Sequence, residues 1–281
     1  MKYQEKIDLN VVFPITKYIT FFKIRFLTGL QYRSAALAGV VTQFAWGFLE
    51  LLMFQAFYES GSGVFPMGME QLAAYVWLQQ AFLSLYMIWY WEGDIFNSIR
   101  NGDVAYELCR PISIYNMWFT KCMGSRISKA VLRCVPILFL ACFLPYPFGL
   151  KVNIGKVEII FFILSMTLAL LVSVAFSMVI YMLTFFTTNQ QGLQIVAASL
   201  AEFFGGAVIP IPFFPEKLQK VLNLLPFASM QNIPFRIFSG NIRGVFLYES
   251  VAMQITWVVI LLLLGKYLEK KALQKICVLG G

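Results

Sequence analysis

Histidine does not occur in the chain, which removes the commonest general base and metal ligand near neutral pH. The five cysteines, Cys109, Cys122, Cys134, Cys142 and Cys277, fall at no CxxC or other metal-ligand spacing and read as scattered small apolar residues. No Gly-x4-Gly-Lys-Ser/Thr stretch is present, since Gly265-Lys266 runs into Tyr267, so the chain has no P-loop of its own. Neither GxSxG nor HExxH occurs, which leaves an intramembrane enzyme without a recognisable nucleophile or metal site. Charge is also scarce: 13% of residues, where soluble domains carry about a quarter.

What fills the chain is apolar material. Of 281 residues 59% are hydrophobic, and several runs reach the roughly 20 residues needed to cross about 30 Å of hydrocarbon. The expected class is an all-α polytopic membrane protein, a single transmembrane domain over 1–281. Six spans are placed at about 34–58, 70–92, 130–149, 157–186, 191–209 and 246–266. Residues 1–33 carry charges throughout and lack an apolar core before a small-residue cleavage site, so no cleavable signal peptide is expected.

Orientation follows from lysine and arginine. With the N-terminus cytoplasmic, six lie in 1–33, six in 93–133 and four in 266–281, against six on the outer side. Both termini are therefore placed inside. The net charge of +8 is a topology signal and a contact with anionic lipid, and no nucleic-acid partner is expected. Before span 1, Thr16, Lys17, Thr20, Lys23, Thr28 and Gln31 share one arc of a helical wheel opposite Tyr18, Ile19, Phe22, Phe26 and Leu30. That is either an interfacial helix or a loose leader. Before span 3, Lys121, Ser125, Lys129 and Arg133 repeat every four residues on a helix expected to run on past Pro136.

Three places hold polar or irregular residues that spans alone do not need. Span 1 carries Gly39, Gln43, Gly47 and Glu50 on one stripe, and span 5 carries Gln191, Gln194, Ala198, Glu202 and Gly205 on another. Glu50 and Glu202 are expected to face the protein interior, since charge at bilayer depth is costly; they either line a pathway or are satisfied structurally within one protomer. Ser165, Ala169, Ser173 and Ser177 form a small-residue stripe read as packing. Segment 210–245 holds five of the eleven prolines amid dense apolar residues. Its EKLQKVLNLL stretch predicts a short helix between Pro215 and Pro226. The segment is either re-entrant in the outer leaflet or an external cap.

The third place is IRNGDVAYELCRPIS, residues 99–113, between spans 2 and 3. Asp103 is expected to cap a helix over 104–109, and Pro111 to keep it from merging with the next one. On the residues alone, Arg100 and Arg110 are equally well read as positive-inside anchors.

This stretch resembles the signature between spans 2 and 3 of type-2 ABC exporter permeases, through Arg100, Gly102, Leu108, Arg110 and Pro111. Segment 203–240 resembles the region between their spans 5 and 6, through Gly206, Pro210, Phe214, Pro215, Leu218, Pro226 and Phe227, and the Gly280-Gly281 tail also fits. The resemblance implies a permease subunit in a prokaryotic plasma membrane, exporting a hydrophobic or amphipathic drug, peptide, lipid or glycan. It implies a second permease, identical or related, and two cytoplasmic ABC ATPase subunits that hold the ATP and Mg2+; this chain binds no cofactor. Arg100, Gly102, Asp103, Glu107, Leu108, Arg110 and Pro111 become the coupling helix and its flanks. Gln43, Glu50, Gln194 and Glu202 fall at a translocation pathway or dimer interface, and Pro210, Phe214, Pro215, Pro226 and Phe227 in outer re-entrant helices. The alternative is an ion-gradient-driven transporter or channel with Glu50 and Glu202 as proton carriers, although no inverted repeat supports it.

Overall fold

A computed structural model describes residues 14–61, 65–151, 154–187 and 189–279. The leader before Pro14, the Gly280-Gly281 tail and parts of three expected turns lie outside the described residues.

Within the described residues every regular element is helical. Helix α1 (Pro14–Leu30) and α2 (Arg33–Ser60) are separated only by Gln31 and Tyr32. Next come α3 (Met69–Tyr86), α4 (Gly93–Asn101), α5 (Val104–Leu108) and α6 (Ile114–Phe143). The second half holds α7 (Lys156–Thr184), α8 (Gln190–Phe204), a 3-10 turn (Ile211–Phe213), α9 (Glu216–Leu224), α10 (Asn232–Phe238) and α11 (Val245–Leu279). Three helices, α2, α7 and α11 up to Lys275, are long and apolar enough to cross a membrane by length and composition. The chain is a multi-pass membrane protein.

Helix α3 lies at the centre, and residues 72–81 are buried on every side. That explains a pattern with almost no polar face: α2, α6, α7 and α10 all pack against it. Span 2 is expected to reach residue 92, but α3 stops at Tyr86 and Met87 is extended. The cause is Arg126 on α6, 2% exposed, whose Nη1 donates to Leu85 O (2.9 Å) and Met87 O (3.0 Å). The freed carbonyls of a helix end are thus satisfied by a side chain. The Nη2 of Arg126 reaches Ser177 Oγ on α7 at 3.0 Å, so one guanidinium joins three helices.

The small-residue stripe on α7 is fully buried, with Ser165, Ala169, Ser173 and Ser177 each at most 1% exposed. Ser173 and Ser177 donate to carbonyls four residues back, so these hydroxyls need no outside partner. Packing is the role the structure supports. As expected, α6 is one helix through Pro136, although it ends at Phe143 rather than 149. Helix α8 ends at Phe204 instead of continuing to 209. Its 15 residues span about 22 Å, less than a bilayer core.

Helix α1 lies along the first half of α6. Ser113 N donates to Tyr18 Oη (3.3 Å), and Arg25, which the helical wheel leaves off the polar arc, pairs with Asp94 in the first turn of α4. Ile15, Ile19, Ile24 and Leu27 are the exposed apolar residues of α1 and point away from protein. Close approach depends on Gly124: a Cβ there would sit 2.9 Å from Phe22 O and 3.2 Å from Arg25 Cβ. Because the first obstacle is backbone, Gly124→Ala is expected to push α1 off α6 at a cost of about 1–3 kcal/mol. A lowered thermal-unfolding midpoint, with Arg25 no longer protecting Asp94 from carboxyl labelling, is the readout.

Candidate functional site

The first candidate surface is built on α4 and α5. Gly102 closes α4 with φ +80, a conformation that favours glycine. Arg100 lies in the last turn of α4, where a cation suits the helix dipole, and donates to Asn97 Oδ1 (3.2 Å). Asp103 precedes α5 but makes no capping hydrogen bond. Its φ/ψ of −63/−13 are already helical, a geometry that takes it out of the extended capping position. The expected cap is corrected on that ground, and α5 ends at Leu108 rather than 109.

The two faces of α5 differ. Val104 is buried, and Glu107, three residues on, shares its side. Glu107 Oε2 accepts from Trp118 Nε1 (2.6 Å), and Oε1 lies 3.5 Å from Lys121 Nζ. This carboxylate is therefore engaged within the chain. The side away from Val104 presents Tyr106 (77% exposed), and Leu108, one turn on from Val104 at the end of the helix, is still 39% exposed; both are flanked by exposed Arg100, Gly102, Asp103, Arg110 and Pro111. Beneath, Phe96 and Trp91 pack on Tyr181 of α7, whose hydroxyl accepts from Glu92 N (2.8 Å). The far side is braced by α11, longer than span 6 requires: Glu269 Oε1 accepts from Tyr115 N (3.1 Å) and Ser113 Oγ (3.4 Å). The i, i+3 relation of Val104 and Glu107 was the available signal for the inward carboxylate; nothing local marked Tyr106.

The second candidate is a cavity of about 610 Å³ between α2, α3 and the end of α8. It brings together Gln43, Glu50 and Glu202, three of the four intramembrane residues singled out from sequence. Gln194, two turns before Glu202 on α8, is half-buried and does not line it. Gln79 and Gln80 of α3, Tyr90 of the 87–92 linker and Arg133 of α6 complete the polar wall. The adjacent glutamines inside an apolar run were the missed signal, since paired amides at bilayer depth call for partners.

Their bonds are incomplete. Gln80 Nε2 donates to Glu50 Oε2 (3.4 Å), Gln79 Nε2 to Ala207 O (2.6 Å), and Arg133 Nη1 to Tyr90 Oη (2.6 Å). Among the described residues the Oε1 atoms of Gln43, Glu50 and Gln79 and the Nε of Arg133 have no hydrogen-bond partner. Glu202 is exposed at the mouth, so its expected interior position holds only in that it faces the cavity.

The third place is the irregular chain after α8. Pro210, Pro226 and Phe227 are buried, Phe214 is half-buried and Pro215 is exposed at the start of α9. Residues 226–235 are all buried. Side chains from distant helices reach this backbone: Tyr75 Oη donates to Gly206 O (2.9 Å) and Gln254 Nε2 to Ser229 O (3.0 Å), the latter also reaching Ser165 O of α7 (3.2 Å). Gly206 takes φ +76, with Tyr75 Oη 3.1 Å from where a Cβ would be. Among the described residues no three metal-ligating side chains converge.

Residues 44–278 match the family model described as ABC-2 family transporter protein. No curated protein and no solved structure matches the chain.

Proposed function

The chain belongs to the ABC-2 transporter family, and from that premise we propose that it is the permease subunit of an exporter driven by ATP hydrolysis on two separate cytoplasmic ATPase subunits. Membership implies ABC ATPase partners; the platform on α4 and α5 is the face that would receive one. The observation that carries this reading is the linker 87–92. At one end it is fastened beside the platform, through Glu92 to Tyr181 and through Lys129 Nζ, 3.8 Å from Glu92 Oε1. At the other it contributes Met87, Trp89 and Tyr90 to the cavity wall. A push on the rigid platform therefore reaches the cavity through a segment too short to absorb it.

In this reading the helices make six crossings with both termini cytoplasmic. Segment 210–245 is the re-entrant region; its buried backbone at 226–235 lies within protein, as non-helical backbone in lipid requires. The open side of the cavity, between the exposed apolar residues of α2 and α8, faces a second permease, a copy or a paralogue. The cargo is hydrophobic or amphipathic and meets Gln43, Glu50 and Glu202.

The test is purification of the complex from native membranes. The ATPase is expected to co-purify, and Arg100→Glu/Arg110→Glu to abolish ATP-dependent transport while the permease still purifies as a folded protein. Full ATP-driven transport by that variant would remove the platform from the mechanism. Glu50, with its unpartnered oxygen in the cavity, favours a second reading as a proton carrier in a gradient-driven transporter. Transport that needs no ATP and collapses with a protonophore would select it.

A further inference from the structure

The cavity has a chemistry more specific than apolar. Its body is lined by Trp46, Leu49, Met53, Leu83, Met87 and Trp89, with thioethers that adapt to irregular shapes. Set into that wall are two carboxyl groups, Glu50 and Glu202, against one guanidinium, Arg133. Arg133 is already bound to Tyr90 Oη. Lys129, the other cation near Tyr90, is paired with Glu92 and does not line the cavity.

The unpartnered atoms lean the same way. Among the fully buried atoms of the described residues, three acceptor oxygens lack a donor, on Gln43, Glu50 and Gln79, against a single donor without an acceptor, Arg133 Nε. Gln43 is 6% and Gln79 3% exposed, so both amides are held by their surroundings and an unmade bond on either is costly. An acceptor surplus and one excess carboxyl call for a ligand that brings N–H donors and one positive charge. Trp46 and Trp89, the latter stacked on Tyr90 through one face, carry no cation among the described residues, and their open faces suit the same charge. An anionic amphipath would meet two carboxyl groups, and a polyol would leave most of the apolar wall uncovered.

Resting on the permease reading above, we propose that this cavity is a binding site for amphipathic organic ammonium ions, their N–H groups taken by Gln43, Glu50 and Gln79 and their apolar body laid along Trp46, Met53, Leu83 and Met87. Glu202 at the mouth draws the cation in from the open side.

The test uses the full chain in lipid nanodiscs and three fluorescent probes of equal chain length, a dansylated alkylammonium, the matching alcohol and the matching sulfonate. The ammonium is expected to bind at least about tenfold tighter than the alcohol, and the sulfonate weakest. Glu50→Gln, which keeps the shape, and Gln43→Leu, which breaks no hydrogen bond among the described residues, are each expected to weaken ammonium binding by about tenfold and alcohol binding by less, so that the ammonium preference narrows. Equal affinity for ammonium and alcohol, or tighter binding of the sulfonate, overturns the proposal. The permease reading is judged separately on the intact complex. ATP-driven transport of another cargo with no ammonium preference sinks the site and leaves the permease. Ammonium preference in a chain that never joins an ATPase does the reverse.

Discussion

Arg126→Leu lowers the thermal-unfolding midpoint of the purified protein by on the order of 10 °C. The guanidinium is buried and serves three acceptors at 2.9–3.0 Å on α3, the linker and α7. Leucine fills part of the space but leaves two backbone carbonyls without donors in an apolar interior. Hydrogen bonds to a charged donor contribute about 1.5–3 kcal/mol each. Relief of the buried charge offsets part of that, so a net loss of about 2–5 kcal/mol is expected. For a chain of this size each kcal/mol moves the midpoint by about 2–4 °C. Arg126→Lys keeps the charge but can reach only part of the fork, so it falls between the two. A leucine variant as stable as the parent, followed by size-exclusion monodispersity on heating, would show that α3 ends at Tyr86 for some other reason.

The second large effect separates the exposed residues of α5 from its inward carboxylate. On the proposed docking surface, Tyr106→Asp/Leu108→Asp is expected to weaken the association with the ATPase by about 30-fold or more, the loss of at least one buried anchor. Tyr106 is 77% and Leu108 39% exposed in the isolated chain, so stability should stay within about 1 kcal/mol of the parent. On the inner face, Glu107→Leu strands Trp118 Nε1 and Lys121, and its effect should register first as lost stability. Co-purification at unchanged stoichiometry with the double aspartate would place the ATPase elsewhere. Reversal of the pattern, with Glu107→Leu stable but uncoupled, would mean that the carboxylate leaves Trp118 to meet a partner.

Much of the architecture was legible because its signals are local. Pro215 and Pro226 bracket α9, a missing amide hydrogen and a fixed φ acting on adjacent residues only. The four-residue repeat from Lys121 to Arg133 marked a helix that does run unbroken into an apolar stretch. The stripe from Ser165 to Ser177 read as packing because small residues at i and i+4 share a face, and all four are buried. The candidate site was only half legible. Gln43, Glu50 and Glu202 converge, yet Gln194 on the same stripe as Glu202 does not reach the cavity, since α8 ends soon after and only its last turns adjoin it.

The sequence alone settled the membrane setting, the helical class and the ABC-2 resemblance, because hydropathy, proline and short motifs act over a few residues. Only the tertiary structure decided where α3 stops, which way Glu107 turns and which amides face the cavity. Each depends on a partner far along the chain: Arg126 lies 39 residues from Met87, and Ala207 lies 128 from Gln79. A helix carries its polar stripe in its own sequence, but its rotation and its end are set by whatever packs against it.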